Sequence, residues 1–221
     1  MLQSRYTHVI WDFNGTVLDD MQAGLESVND MLAARNLPVL NGVDAMREVF
    51  GFPVRDYYLR LGFDFEKESY DDVLAPCWVE GYLSRGSLMR IFPAVFPVVA
   101  AFRRAGLHQS VLSASEKAML EQQLAERGGT GLFDEIWGTD SIYAHGKLEL
   151  ARLWRETHPE ARAVMLGDTT HDAETAACLG ADCILIAAGY HSRQRLLACG
   201  VPVVDTLEEC LPYVLAESFR I

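Results

Sequence analysis

The chain has 221 residues, of which 50% are hydrophobic and 23% charged, enough for one large domain or a domain with an insertion. Its formal net charge of −12 argues against nucleic-acid backbones and acidic membrane surfaces as partners. No signal peptide precedes the first predicted strand, and no apolar run approaches membrane-spanning length. We therefore expect a cytoplasmic protein that binds neither nucleic acid nor membrane.

The five cysteines are scattered singly, without a C-x-x-C pair or a metal-ligand spacing. This pattern is typical of reduced thiols in the core of a cytosolic protein. A negatively charged small substrate would need local positive charge, from a few basic side chains or from a bound metal. The positions of the three lysines, Lys67, Lys117 and Lys147, therefore carry weight.

The first predicted element is a short buried strand with an acid at its end. Residues 9–11 form an apolar run that Gly15 breaks, and Asp12 follows the run directly. In α/β folds ligands bind at the carboxyl ends of parallel strands, and a poorly solvated carboxylate there needs a partner, usually a cation. The alternative is an Asx-turn in which Asp12 and Asn14 bond their own backbone, and this stretch alone does not decide between the two.

A helical region follows the first strand. After Asp20 apolar residues recur at three- and four-residue steps until residues 36–38 stop the helix. From 43 to 85 the sequence predicts several short helices, broken at 51–53 and at Gly62. The sequence therefore predicts a helical insertion of about 70 residues between the first strand and the rest of the chain, which is a plausible length for a small subdomain.

From residue 92 onward helices and strands alternate. The patterns predict helices over 92–104, 116–127 (with Ser115 as N-cap), 147–157, 171–179 and 207–214. Strands are expected over 108–113, 133–137, 163–166, 184–187 and 203–204. The alternation predicts an α/β fold built on a doubly wound parallel sheet.

Polar residues fall at the predicted carboxyl ends of successive strands: Asp12, Ser113, Lys147, Asp168 and Asp172. An aspartate nucleophile, a hydroxyl and an ammonium holding phosphate oxygens, and further acids holding Mg²⁺ form a coherent set for phosphoryl transfer. Each residue also has a simpler interpretation. Lys147 could be an exposed helix lysine, Ser113 a strand-end serine, and the two later acids dipole partners of the following helix.

With these residues in this order, the chain resembles the haloacid dehalogenase superfamily, in particular its phosphoglycolate-phosphatase-like branch with a helical cap. The first motif, D-x-D-G-T, reads DFNGT over 12–16, and the second is Ser113 in SVLSAS. The third is Lys147, and the fourth reads GDTTHD over 167–172. The segment FGFPVRDYYLRLG resembles the cap helix of such proteins. The resemblance implies a Rossmann-like core of residues 1–18 and 92–221 and a cap of residues 19–91.

The resemblance also implies a Mg²⁺-dependent phosphatase of a small phosphorylated metabolite, with Asp12 as the nucleophile that forms an aspartyl-phosphate. It assigns substrate binding to Ser113, Ala114, Lys147 and Thr16. It assigns the metal to Asp12, Asp168, Asp172 and Asn14, the last through its backbone carbonyl. It leaves the substrate and the oligomeric state open.

Asn14 departs from the family pattern, because phosphatases of this family have there the acid that protonates the leaving oxygen. An amide cannot deliver a proton at neutral pH, so we expect weakened or selective turnover. One alternative is a non-catalytic relative that binds a phosphate ligand. A remoter one is a carbon–phosphorus hydrolase that forms an imine at Lys67. In the cap, Tyr57, Tyr58, Arg55 and Arg60 are candidate substrate contacts, although core packing explains the tyrosines equally well.

Overall fold

The computed structural model describes residues 4–139 and 146–215. Within these residues six parallel strands form one sheet in the order β5-β4-β1-β6-β7-β8. They are β1 (His8–Trp11), β4 (His108–Glu116), β5 (Glu135–Thr139), β6 (Ala163–Gly167), β7 (Asp182–Ile186) and β8 (Val203–Val204). A second, two-stranded sheet pairs β2 (Leu18–Asp19) with β3 (Arg90–Ile91). Residues 1–3, 140–145 and 216–221 of the expected core lie outside the described residues.

The helices divide into a group between β2 and β3 and a group that alternates with the later strands. The first group is α1 (Met21–Ala33), α2 (Gly42–Val49), α3 (Val54–Arg60) and α4 (Ala75–Leu83), with a π-helical turn at Tyr70–Leu74. The second group is α5 (Val95–Arg104), α6 (Lys117–Glu126), α7 (Lys147–Thr157), α8 (Thr170–Leu179), α9 (Arg193–Leu197) and α10 (Leu211–Leu215). None of these described helices is long and apolar enough to cross a membrane.

The sheet is covered on both faces because successive side chains of each strand point to opposite sides. Val9 and Trp11 of β1 pack in one hydrophobic cluster with Phe102 of α5. Ile10, between them, packs in the other cluster with Trp154 of α7. Helices on both faces of a parallel sheet leave its strand ends as the polar edges, so a site is expected at the carboxyl edge.

The helical region has its own hydrophobic cluster, separate from those of the sheet. Tyr57 and Tyr58 of α3 pack there against Leu32 of α1 and Leu74. The chain enters and leaves this region through β2 and β3, which pair antiparallel, and Arg90 forms an ion pair with Asp19 across them at 2.9 Å. These features support the proposed division into a core and a helical cap.

The α/β fold with a parallel sheet expected from the sequence is confirmed, whereas several bounds differ. β4 continues to Glu116, so Ser115 lies in the strand and is not the N-cap that the sequence predicts for α6. β5 begins two residues later than expected and β7 begins and ends earlier. The paired strands β2 and β3 were not expected, because two residues are too few to show an alternating pattern.

Candidate active site

Lys147 joins two acids from different strands at the carboxyl edge of the sheet. It is the first residue of α7, and its ammonium donates to Oδ1 of Asp12 at 2.5 Å and to Oδ1 of Asp172 at 2.6 Å. Its side chain is only 4% exposed, so the interpretation as an ordinary surface lysine is wrong. Asp12 follows β1, and its amide donates to the carbonyl of Leu166 in β6, which fixes it between the two strands.

Asp12, Asp168 and Asp172 offer carboxylate oxygens that all lie within 4.8 Å of one another. Burial and the nearby charge of Asp172 raise the pKa of Asp12 to about 6. Burial, then Asp12 and Asp172, raise the pKa of Asp168 well above its ordinary value. Three carboxylates thus face one ammonium, and the mutual repulsion of the acids favours a bound proton or a cation.

Asp168 sits in a close-fitting cradle. It accepts from the hydroxyl of Thr16 at 2.7 Å and from the amide of Tyr190 at 2.6 Å. A Cβ on Gly189 would lie 2.1 Å from its Oδ2, and one on Gly15 2.4 Å from the same atom. Gly15 also has a φ of +78°, so a side chain there would be strained by its backbone conformation as well as by the contact with Asp168. The Thr16 hydroxyl therefore positions Asp168, and the role of Thr16 in substrate binding stays a prediction.

Both carboxylate oxygens of Asp172 accept hydrogen bonds. Besides Lys147 on Oδ1, its Oδ2 accepts from the amides of Asp168 and Thr169 and from the Thr169 hydroxyl, at 2.7–3.1 Å. Thr169 and Asp172 form a capping box that begins α8. Burial would raise the pKa of Asp172, but Lys147 and these donors outweigh it and lower the pKa. Asp172 is therefore an ionised anchor, and both the metal-site and the helix-start interpretations have structural support.

Lys147 stays protonated in this setting. Burial on its own would lower its pKa, but Asp12 and Asp172 outweigh that effect and the pKa is raised. A permanent positive charge thus faces the cavity beside Asp12. Such a charge suits the oxygens of a phosphoryl group.

Asn14 is the centre of a partly buried hydrogen-bond network. Its Nδ2 donates to Oδ2 of Asp20 at 2.8 Å and to the Tyr82 hydroxyl at 3.1 Å. The Tyr82 hydroxyl also donates to Asp20 at 2.7 Å, and the Ser115 hydroxyl donates to Oδ1 of Asn14 at 2.9 Å. Burial raises the pKa of Asp20 to about 6, although these donors oppose it. The network joins the sheet edge to α4 of the helical region.

Ser113 and Ala114 lie in β4, on the opposite side of β1 from Asp168. Both line the same cavity as Asp12 and Lys147. The Ser113 hydroxyl accepts from the amide of Ser115 at 3.1 Å, which leaves its own proton to donate to a ligand. The structure thus brings together at one cavity the predicted residues Asp12, Asn14, Ser113, Ala114 and Lys147.

The cavity has a volume of about 160 Å³ and lies between the sheet edge and the helical region. The helical region contributes mainly aromatic and aliphatic lining, including Phe50, Phe52, Val54, Tyr57, Trp78 and Tyr82. Among the described residues that line it, Lys147 is the only basic one. The acids Asp12, Asp20 and Glu116 also line it.

Three of the cap side chains considered from the sequence do not line this cavity. Arg55 pairs with Asp71 and lies over the Tyr70 ring, and Arg60 donates to a backbone carbonyl. Lys67 is 81% exposed and pairs with Asp64 at 2.7 Å, so the imine-forming alternative has no lysine in place. Tyr57 and Tyr58 line the cavity and also pack in the hydrophobic cluster of the helical region, so both of their interpretations have structural support.

The cysteines are less uniform than expected. Cys183 and Cys210 are buried, as predicted, but Cys77 is exposed and Cys178 and Cys199 are partly buried. The interpretation of all five as core thiols is therefore wrong for Cys77. Its helix, α4, packs on α1 and buries Ala75 and Tyr82 instead.

Sequence reasoning missed Asp20, Tyr82, Ser115 and Tyr190, which hold Asn14 and Asp168 in place. Asp20 had a weak signal, as an acid close after the first motif. Tyr82 and Tyr190 lie far along the chain in unremarkable helical and turn sequence, where no spacing rule would single them out.

Comparisons with known proteins were consistent with this geometry. A family model described as haloacid dehalogenase-like hydrolase matches residues 9–186. The chain is 27% identical to the tyrosine-protein kinase PtkA of Mycobacterium tuberculosis. The match covers 82% of this chain but only 62% of that relative's length. It is 26% identical to a phosphoglycolate phosphatase of Rhodobacter capsulatus over 82% of this chain and 84% of the relative.

Solved structures share the fold. A haloacid dehalogenase-like hydrolase from Streptococcus pneumoniae superposes with a TM-score of 0.80 at 16% identity, covering 94% of this chain and 98% of that one. The structure of M. tuberculosis PtkA gives a TM-score of 0.78 at 22% identity, over 96% and 99% of the two chains. At these identities the likeness concerns architecture alone.

Proposed function

The chain belongs to the haloacid dehalogenase-like hydrolases, and we propose that it is a phosphatase that uses Asp12 as its nucleophile and Mg²⁺ as its cofactor. The observation that carries the proposal is the placement of Lys147, buried between Asp12 and Asp172 at 2.5 and 2.6 Å beside the cavity. An ammonium there holds a nucleophilic carboxylate in place and presents positive charge to the group it attacks. Phosphatase names among the relatives, such as the R. capsulatus protein, agree with this assignment.

In the proposed reaction a carboxylate oxygen of Asp12 attacks phosphorus and the bond to the substrate oxygen breaks. Lys147 and the Ser113 hydroxyl bind the phosphoryl oxygens during the transfer, and the backbone around Ala114 lines their side of the cavity. Water then attacks the aspartyl-phosphate, releasing inorganic phosphate and restoring Asp12. The leaving oxygen and the attacking water both need proton transfer, which a carboxylic acid would assist.

The donor set fits Mg²⁺, which prefers carboxylate and carbonyl oxygens to nitrogen or sulfur. Asp12 and Asp168 would hold the ion, together with the backbone carbonyl of Asn14 that the family resemblance implies. Asp172, whose oxygens already accept four hydrogen bonds, supports the site through Lys147 and the start of α8. When bound, the ion neutralises charge on the phosphoryl group.

The lining of the cavity supports a proposal for the substrate class. A phosphoester with a second anionic group, such as phosphoglycolate, needs another cation, yet Lys147 is the only basic residue of the described lining. Asp20 and Glu116 would repel such a group. Aromatic and aliphatic side chains instead favour an uncharged, apolar organic group attached to the phosphate. Asn14 adds a preference for leaving groups that need little protonation, so aryl phosphates fit on both counts.

A screen for phosphate release tests the activity and the substrate class together. Phenyl phosphate, an alkyl phosphate and phosphoglycolate are compared with and without Mg²⁺. We expect Mg²⁺-dependent turnover, with the highest kcat/KM for the aryl ester. Absence of release from every ester in the presence of Mg²⁺ would contradict the enzyme assignment. A higher kcat/KM for phosphoglycolate would contradict the substrate class alone.

A matched pair of variants checks whether the cavity sets this preference. Val54→Arg places a cation in the lining, whereas Leu59→Arg places one on the same helix at a side chain that is 52% exposed. We expect Val54→Arg to raise kcat/KM for phosphoglycolate relative to phenyl phosphate and Leu59→Arg to leave the ratio unchanged. Equal effects would show that the ratio follows overall charge rather than the cavity.

The second candidate is a protein that binds phosphorylated ligands without turnover. Asn14 favours it, because its amide is held by Asp20, Tyr82 and Ser115 where the family's acid would be. Saturable binding of phenyl phosphate, measured by calorimetry, with no phosphate release in hours would support this candidate. A burst of phosphorylated enzyme would exclude it.

A further inference from the structure

A cluster of imidazoles lies at the amino-terminal edge of the sheet, opposite the candidate active site. His8 begins β1 and His108 begins β4, and the two residues are paired in register. Glu135 begins the next strand, β5, and His158 follows the last turn of α7. The His8 ring lies 5.2 Å from that of His108 and 5.3 Å from that of His158. Half of the six histidines of the chain therefore meet at one place.

The distances within this cluster are those of a metal site. Nε2 of His158 lies 3.3 Å from Oε1 of Glu135, and Nε2 of His108 lies 3.7 Å from the same oxygen. One ligand atom from each of the three residues falls within 4.8 Å of the others. Zn–N and Zn–O bonds of about 2.0–2.1 Å place tetrahedral ligand atoms about 3.4 Å apart, so small side-chain rotations complete the geometry.

The second nitrogen of each ring is already directed elsewhere. Nδ1 of His158 lies 2.9 Å from the carbonyl oxygen of Trp154 and 2.9 Å from Oγ1 of Thr157. A carbonyl can only accept, and Thr157 donates its own proton to the same carbonyl, so a proton on Nδ1 satisfies both contacts. Nδ1 of His108 faces the carboxylate of Asp134 at 3.5 Å. A proton on Nδ1 of each ring leaves the lone pair of Nε2 facing Glu135. Metal-bound histidines have this arrangement, with the other N–H donated to a carbonyl or a carboxylate.

Glu135 is oriented in the same way. Its Oε2 accepts from the indole of Trp137 at 2.8 Å and from the hydroxyl of Ser110 at 3.2 Å, which leaves Oε1 for the two histidines. Nε2 of His108 is buried and makes no hydrogen bond within the described residues. Two lone pairs and a carboxylate oxygen in one place repel each other unless a cation or added protons lie between them.

We propose that His108, Glu135 and His158 bind a transition-metal ion of the Zn²⁺ class, beside the ring of His8. Two imidazoles and a carboxylate suit Zn²⁺, Co²⁺ or Ni²⁺ and disfavour Mg²⁺, which takes oxygen ligands. The site ties β4, β5 and the end of α7 together, so its role is structural. It is chemically distinct from the carboxylate cluster at the other edge of the sheet.

Zinc titration of the chelator-treated full chain, in millimolar Mg²⁺ to occupy the carboxylate site, tests this proposal. We expect one equivalent of Zn²⁺ to bind and the melting temperature to rise. His108→Gln and His158→Gln should weaken the affinity by more than the 10–100-fold that outer-shell changes typically cost. His171→Gln is the matched control, because His171 contacts Glu174 at 2.9 Å but belongs to neither cluster, and it should bind zinc as the parent does.

Imidazole nitrogen NMR of the parent provides a readout that needs no variant. Zn²⁺ should shift the Nε2 resonances of His108 and His158 and leave those of His171 unchanged. Zinc bound with unchanged affinity in both glutamine variants would place it outside this cluster and overturn the proposal. No zinc binding by the parent, or protonation of these rings near neutral pH instead, would overturn it equally.

Discussion

Replacing Asn14 with aspartate tests whether a carboxylic acid at this position speeds the proposed phosphoryl transfer. In the parent, Nδ2 of Asn14 lies 2.8 Å from Oδ2 of Asp20. In Asn14→Asp an oxygen takes the place of that nitrogen, and two carboxylate oxygens this close must share a proton. Ser115 can still donate to the new carboxylate, so the side chain keeps its orientation. Burial already raises the pKa of Asp20 to about 6, and a second carboxylate beside it raises the apparent pKa of the pair further, so we expect the pair to hold one proton near neutral pH.

In the variant this shared proton is available to protonate the leaving oxygen, which the amide of Asn14 cannot do in the parent. General acid catalysis typically contributes about 10²–10⁴-fold, so we expect alkyl-phosphate attack to gain about 10²-fold or more, about 2.7 kcal/mol at the lower bound. A nitrophenolate leaves without much help, so its attack should gain much less. The gain should fall as pH rises through the apparent pKa of the pair, since the proton is then lost.

Rapid-quench measurement of the burst phase separates attack on phosphorus from hydrolysis of the aspartyl-phosphate. Asn14→Ala serves as the control, because it removes the hydrogen bonds to Asp20 and Tyr82 without supplying an acid. Equal gains for the alkyl and aryl esters, or a gain that does not change with pH, would refute proton donation and assign the effect to geometry. No gain on any ester would favour the binding protein over the enzyme.

Three further outcomes follow from the same site. Asp12→Asn should abolish phosphate release, and the parent should trap beryllofluoride on Asp12; release at the parental rate in the variant would remove Asp12 as nucleophile. Millimolar Mg²⁺ should raise the melting temperature of the parent but not of Asp168→Ala, whereas equal shifts, or none in the parent, would argue against the metal site. Burial raises the pKa of Asp20 from 3.8 to about 6, so the native state binds more protons in this window and loses stability as pH rises through it. In urea melts with chelator, Asp20→Asn should reduce that loss by about 3 kcal/mol at most, and an unchanged slope would exclude Asp20 as its source.

The sequence predicted those parts of the site that depend on local pattern. Asp12 and Asp168 each follow an apolar run, and the structure places both at the carboxyl edge. Lys147 was suggested by its place at a helix start, where the structure finds it paired with Asp12. These signals lie within a few residues of the side chain they concern.

Contacts between distant segments had no such signal. Tyr82 reaches Asn14 across 68 positions, and Ser115 does so only because β4 continues past the point where its apolar pattern stops. The histidine cluster joins positions 100 and 150 residues after His8, spacings that match no metal motif. Register and tertiary packing created these contacts.

The central position of β1 has a consequence for how the chain folds during synthesis. β1 is synthesised before both of its neighbours, β4 and β6, which pair with it through residues near 110 and 165. At about 5–20 residues per second, the last of these partners is synthesised roughly 8–30 s after β1. The residues 28–75 that form the cluster of the helical region are close in sequence and can pack sooner. We therefore expect nascent chains that stop before β6 to hold a folded helical part beside an unpaired apolar strand, the form in which chaperones would bind them.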